Sequence, residues 1–343
     1  MQRVLRTAGH EVAGLDTCYF EACGDASASA DIPAIRKDIR DVVTKDLEGF
    51  EAILHLAGLC NDPLGDLNPR WTFEINHAAT IHLAQIAKAA GVQRFLFASS
   101  CSLYGKADDR ILAEDAALQP LTAYATSKVR AETDLASLAN EEFSPVFMRS
   151  ATAYGMSPRF RADVVLNNLV CWACTTGRIR IMSDGLAWRP IVHVEDISNA
   201  FAAVLAAPRT AIHNEAFNVG VNEENYRVRE LAEIVGEVVP GCEVEYVGDG
   251  NHDPRSYRVS FDKLARVLHF VPKWYARRGA HELYKSLAQA GITRTSFQGA
   301  QFTRLAQLKY LLSTNRLDGT LRWKNQPAKE WLMPPVARAE IKS

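Results

Sequence analysis

Arg94-Phe-Leu-Phe-Ala-Ser-Ser-Cys-Ser-Leu-Tyr-Gly105 opens as a short apolar run and closes in three serines and a Tyr-Gly pair. A near-continuous apolar run of this length reads as a strand covered on both faces. Upstream, Ala52-Ile-Leu-His-Leu-Ala57 has the same character. Ala34-Ile-Arg-Lys-Asp38 and Glu11-Val-Ala-Gly-Leu-Asp16 are weaker versions of it, and Pro145-Val-Phe-Met-Arg149 follows downstream. Phe73 to Ala90 carries apolar residues at helical spacing with Gly91 as a stop, and Tyr124 to Ala139 reads as a second helix. Strands alternating with helices predict a doubly wound α/β fold around a parallel sheet.

Beyond about residue 155 the pattern loosens. Ile179 to Met182, Pro190 to His193, Ala216 to Gly220 and Glu243 to Val247 are strand candidates, and Val194 to Ala206 and Arg229 to Val239 read as helices. The periodicity of Phe302, Leu305, Leu308 and Leu311 predicts a packing helix near the C-terminus.

The 343 residues are 48% apolar, enough for a sizeable core, and the net charge of -1 argues against a nucleic-acid surface. The seven cysteines (18, 23, 60, 101, 171, 174 and 242) are odd in number and irregular in spacing, which points to a reducing compartment rather than a disulfide framework. Cys171-Trp-Ala-Cys174 has no second pair or nearby His to complete a zinc set, so no metal is expected. With no bilayer-length apolar stretch and no apolar signal core, the expectation is a soluble cytoplasmic protein without a membrane partner.

Tyr124-Ala-Thr-Ser-Lys128 carries the chemistry. On a helix the i,i+4 spacing places the phenol and the ammonium on one face. A lysine ammonium there is expected to favour the phenolate and lower the tyrosine pKa, making it a base for a substrate hydroxyl. The serine cluster ends a strand at the carboxyl edge, where open α/β sheets bind ligands. A hydroxyl at that edge can hold the same substrate oxygen.

Taken in order, these segments resemble the extended short-chain dehydrogenase/reductase family of sugar-nucleotide epimerases, dehydratases and reductases, from about the first residue to about residue 265. The resemblance implies a Rossmann-type domain over residues 1–155, with returning segments at about 188–220. It implies a smaller substrate lobe over 156–187 and 221–343, and NAD as cofactor. It places Ser100 as the catalytic hydroxyl, with Ser99 and Ser102 ranked behind it, Tyr124 as base and Lys128 as the lysine that also contacts the nicotinamide ribose. Asp16 matches the acidic residue on the adenosine ribose, whose charge disfavours a 2′-phosphate. Asp38-Ile39 resembles the pair beside the adenine, Leu56-Ala57-Gly58 the strand end that passes the cofactor, and Asn76 an asparagine near the central strands. On the substrate side, Asn167, Asn168, Arg189 and Arg255 match positions that hold a nucleotide-sugar diphosphate, and guanidinium forks suit that task. Ser102 and Thr152 fall at sugar-contacting positions, with Thr152 where an Asn is common. His193 reads as a structural residue of a strand-to-helix turn. Homodimerisation through the helices around Asn76–Ala90 and Tyr124–Ala139 is also implied.

Two departures qualify the resemblance. The family's opening strand and G-x-x-G-x-x-G loop have no counterpart here, and Met1 to Asp16 resembles the end of the first helix followed by the second strand. The expectation is that the first strand and glycine loop are missing, on the order of 20 residues, leaving unpaired edges in mid-sheet. Secondly, Cys101-Ser102 follow Ser100 where the dehydratases carry Asp-Glu, which favours an epimerase, acting at C4 of the sugar, over a dehydratase. The alternatives are a nucleotide-sugar reductase or dehydrogenase, a non-catalytic nucleotide-binding relative, or an inert truncated product.

Overall fold

The computed structural model describes residues 1–23, 34–248 and 255–325, apart from the side chains of residues 108 and 109. The Asp253-Pro254 step before Arg255 and the tail from residue 326 lie outside the described residues.

The strands in chain order are β1 (Gly14–Asp16), β2 (Ala34–Arg36), β3 (Ala52–His55), β4 (Arg94–Ser100), β5 (Lys106–Leu112), β6 (Ser144–Ser150), β7 (Thr152–Tyr154), β8 (Arg178–Ile181), β9 (Trp188–His193), β10 (Ala216–Val219), β11 (Asn225–Arg227), β12 (Glu243–Tyr246) and β13 (Ser256–Val259). The longer helices are α1 (Gln2–Thr7), α2 (Ala79–Ala89), α3 (Ala123–Ser137), α4 (Val165–Thr176), α5 (Val194–Ala206), α6 (Val228–Val238), α7 (Asp262–Leu268), α8 (Ala276–Gln289) and α9 (Arg304–Ser313). The first turns of the helix expected over 73–90 are π-helical, Phe73–Ala78, before α2 begins.

The centre is a four-stranded parallel sheet in the order β10-β6-β4-β3. Alternate side chains of its strands serve opposite layers, as the pleat requires. Phe95, Phe97 and Phe147 pack on Leu83, Ala84, Ala131 and Leu135 of α2 and α3. Leu96, Val146 and Met148 pack on Ala200, Phe201 and Val204 of α5 and on Leu264 of α7. Both faces are therefore covered, which explains the absence of polar alternation in these strands. β1 and β2 pair in parallel with each other, and among the described residues no ladder joins them to β3.

Of the segments expected to return to this sheet, β10 does so. β9 lies instead in a second sheet, between β7 and β11. Two further pairs, β12 with β8 and β13 with β5, lie outside the central sheet. Strands β5, β7, β11 and β13 are short or polar and were not legible as apolar runs. A separate core joins α4, α6 and α8 through Leu166, Val170, Leu231, Val235, Ala280 and Leu283. The molecule is thus a Rossmann-like parallel α/β unit with a helical lobe built from the C-terminal half. α9 packs through Leu308 and Leu311 as its periodicity predicts.

One buried network fixes α3 on the sheet. Arg149 at the end of β6 donates from Nε and Nη2 to Glu132 of α3, the closest contact being 2.7 Å, and from Nη1 to the Tyr104 hydroxyl at 3.2 Å and the Glu114 carbonyl at 2.8 Å. Removing one partner of a buried pair leaves the other charge uncompensated. Glu132→Gln is expected to lower stability by about 3 kcal/mol, read as a fall in the midpoint of denaturant unfolding. An unchanged midpoint would show that the pair does not anchor α3.

Candidate active site

All four strands of the central sheet end on one edge, and the site is assembled there. Thr122 caps α3, its Oγ1 accepting from Ala125 N at 3.1 Å, so the helix starts just before Tyr124. Gly65 sits where a β-carbon would lie 3.1 Å from Tyr124 Cβ, so the turn after β3 packs directly on the tyrosine. At the end of β4, Ser100 Oγ accepts from Ser102 N at 3.1 Å, and Ser100 also hydrogen-bonds Tyr124. Lys128 is 5% exposed; its Nζ donates to Ala98 O at 2.6 Å and lies 4.3 Å from the Phe97 ring centroid and 5.9 Å from that of Tyr124. Ser100, Tyr124 and Lys128 are therefore brought together.

Their electrostatics correct one expectation. Burial pushes the Tyr124 phenol up to about 12, with the Ser100 hydrogen bond and the Arg161 charge pulling it down. Burial pulls the Lys128 ammonium down to about 8. In the chain alone, desolvation of the phenol dominates, and the Lys128 ammonium donates to the Ala98 carbonyl.

The Tyr-Gly pair closes the serine segment. Gly105 has φ +69°, and a β-carbon there would fall 1.7 Å from Gln119 O, so only glycine lets the two segments approach. The Tyr104 hydroxyl donates to Asn218 Oδ1 at 2.8 Å, and Cys101 Sγ donates to Arg149 O at 3.0 Å. Tyr104 and Cys101 are thus packing residues under the serines.

The residues expected to hold a dinucleotide come from β1, β3, β4 and the segments that follow β2 and β3. Asp16 ends β1, one carboxylate oxygen accepting from Cys18 N at 2.6 Å. Leu56, just past β3, is 48% exposed, an apolar side chain open at the ligand edge. The Ser99 and Ser102 hydroxyls are buried without a hydrogen-bond partner among the described residues. This donor set fits a dinucleotide: a carboxylate for a ribose, an apolar strand end, and a buried lysine with hydroxyls beside it. Two expected contacts have other partners. Asn76 is buried and both accepts from Leu59 N (2.7 Å) and donates to Leu59 O (3.0 Å), holding the strand-end loop against Gly58. Asp38 forms a bidentate ion pair with Arg40, while Ile39 is buried in an apolar cluster.

Of the residues expected on the substrate side, Asn167 accepts at Oδ1 from Gly155 N at 3.0 Å and donates from Nδ2 to Arg161 O at 2.8 Å. Asn168 Nδ2 donates to Ala162 O at 3.0 Å. Both amides shape the 155–162 loop. Arg189 donates to the Trp188 and Arg255 carbonyls, and Arg255 pairs with Asp62. Thr152 starts β7. His193 is structural, as read: its Nδ1 accepts from Glu195 N, its Nε2 meets Glu282 at 3.0 Å, and its ring stacks on Trp274 at 3.9 Å.

The sequence reading missed the Cys60–Asp62 turn and its partners. Asn61 caps the turn and donates to Asp163 at 2.9 Å, Asp62 accepts from Thr122 at 2.6 Å, and Arg161 pairs with Asp163 (2.9 Å) and donates to Cys60 O (3.2 Å). The Arg161 charge also lowers the Tyr124 pKa. Asn61-Asp62-Pro63 carries an N-cap signature and Arg161-Ala162-Asp163 a close charge pair; either was a usable signal. Among the described residues, no cluster of His, Cys, Asp and Glu could hold a metal, and no helix is long and apolar enough to cross a membrane.

A UDP-glucose 4-epimerase of Corynebacterium glutamicum is 27% identical over 288 residues, 79% of this chain and 86% of that protein. A mouse dTDP-D-glucose 4,6-dehydratase is 27% identical over 236 residues, 66% of this chain and 65% of that protein. The structure of MoeE5 in complex with UDP-glucuronic acid and NAD superposes with a TM-score of 0.71 at 25% identity, covering 84% of this chain and 94% of that one. The model of the NAD dependent epimerase/dehydratase family matches residues 1–220. The chain belongs to the NAD dependent epimerase/dehydratase family.

Proposed function

We propose that this protein is an NAD-dependent epimerase that inverts a hydroxyl-bearing carbon, C4, of a nucleotide sugar by transient hydride transfer. The observation that carries this reading is the convergence of Ser100, Tyr124 and Lys128 at the carboxyl end of β4. NAD, when bound, supplies the hydride acceptor and the positive charge of an oxidised nicotinamide. Asp16, Leu56, Ser99 and Lys128 are the residues that would hold it. Relatives and structural neighbours whose names carry UDP- or dTDP-sugars support the substrate class.

Tyr124 takes the proton from the sugar hydroxyl, Ser100 holds that oxygen, and the same phenol returns the proton after the keto sugar has turned over. A buried phenol pushed up to about 12 needs cations to act as a base near neutrality. Lys128 and Arg161 are the two in place. Cys101 and Ser102 stand where a dehydratase needs a proton donor and a base at the neighbouring carbon. Cys101 is buried, its thiol pushed well up and directed at a carbonyl. This supports epimerisation over dehydration. A reductase or dehydrogenase would instead release NAD(H) each turnover. A cytoplasmic homodimer is part of the proposal and rests on family resemblance.

Three outcomes are expected. Tyr124→Phe abolishes interconversion of UDP-glucose and UDP-galactose, by about 10²–10⁴-fold, while calorimetry shows NAD binding unchanged; a variant that retains turnover removes Tyr124 from the mechanism. Arg161→Gln moves the rising limb of the pH–rate profile to higher pH, because a cation favouring the phenolate is lost; an unmoved limb denies Arg161 that role. The third concerns stability. Lys128 is folded with a pKa of about 8, below its usual 10.5, so its burial costs stability fully below pH 8 and less as pH rises toward 10.5. Lys128→Met should therefore stabilise the fold by roughly 1–3 kcal/mol at pH 7, with the gain shrinking above pH 8. A destabilised variant would show that the Ala98 contact outweighs desolvation.

A further inference from the structure

The C-terminal segment after α9 runs back across the chain's beginning. Trp323 Nε1 donates to Thr17 O at 2.7 Å, one residue beyond Asp16, and the Tyr19 hydroxyl donates to Leu321 O. Arg40, the partner of Asp38, donates to Thr320 O at 2.7 Å and to Leu321 O at 3.2 Å. Leu317 and Leu321 are buried in one cluster with Ile39. The loop thus packs beside Asp16, which stays exposed at the end of β1, and against Asp38 and Ile39, which follow β2; these residues share only their expected role beside the adenosine. Guanidinium groups of Arg36 and Arg316 lie 5.5 and 5.3 Å from the Trp323 ring centroid, so the covering face is aromatic and cationic, chemistry suited to a nucleotide. The segment also carries strain. Leu321 has φ +59°, and Cys18 in the facing turn has φ +62°, a region that costs non-glycine residues on the order of 1–3 kcal/mol and that surrounding contacts must hold.

We infer that the loop Leu317–Trp323 forms the outer wall of the adenosine subsite and retards release of the dinucleotide, with Trp323 as its latch. The inference rests on the proposed function and deepens it, since an epimerase keeps its cofactor between turnovers whereas a reductase must let it go.

The test uses the full chain and Trp323→Ala, with NAD dissociation followed by stopped flow, affinity by calorimetry, and hydrogen exchange over residues 304–325 with and without NAD. The expected result is release about tenfold faster in the variant, with a matching loss of affinity, and protection of the loop by NAD in the parent chain. Equal release rates from two folded proteins overturn the inference alone. Slower release or tighter binding by the variant also overturns it, showing that the loop obstructs the site. No NAD binding by the parent chain overturns the cofactor reading and this inference with it. Trp323→Phe, which keeps the ring and loses the Thr17 hydrogen bond, carries the same test if the alanine variant does not fold.

Discussion

The contact on which the site depends is an ammonium group buried against one carbonyl oxygen. Lys128 has left water for a place between the Phe97 ring and Ala98 O. A lysine so placed is expensive to bury and can be retained only where α3 is fixed in register against β4. The Glu132–Arg149 pair one turn further along the helix supplies that fixation, and the Gly65 turn presses on the helix at the tyrosine. Tyr124, four residues before the lysine, is then placed by the same helix at the end of the same strand. Its burial raises its pKa and makes it dependent on cations, so packing and acid–base chemistry are two aspects of one arrangement.

Much of this was legible in the sequence because parallel strands announce themselves. Covered on both faces, β3, β4 and β6 had to be apolar at nearly every position, and the helices between them had to carry a stripe. The pairing of Tyr124 with Lys128 followed from the helical repeat alone. Elements that pair outside the central sheet were hidden. β5, β7, β11 and β13 are short and partly polar, and their partners lie far away in sequence, so no local periodicity marks them.

Residue roles were less legible than residue positions. Asn76, Asn167 and Asn168 were matched to ligand contacts, yet their amides hold loops through backbone groups. A buried amide must satisfy both its donor and its acceptor, and a nearby peptide does this as well as a ligand would. The converse holds for Arg161, an unremarked arginine in sequence, which the fold carries to Cys60 and the tyrosine. Spacing identifies groups on one element; it does not find groups that three loops bring together.

The crossing of the C-terminal loop over β1 and β2 has a consequence for biosynthesis. Tyr19 and Leu321 are 302 residues apart and Thr17 and Trp323 are 306 apart, so neither contact can form until the long stretch between its partners has been made. The two-stranded β1–β2 unit is too small to be stable by itself. It must wait, with apolar surface open, while the central sheet and helical lobe form behind it. Closure of the chain on itself is then a late event in folding, and a nascent chain stalled short of residue 317 would hold an organised core beside an unfinished edge, a natural substrate for chaperones.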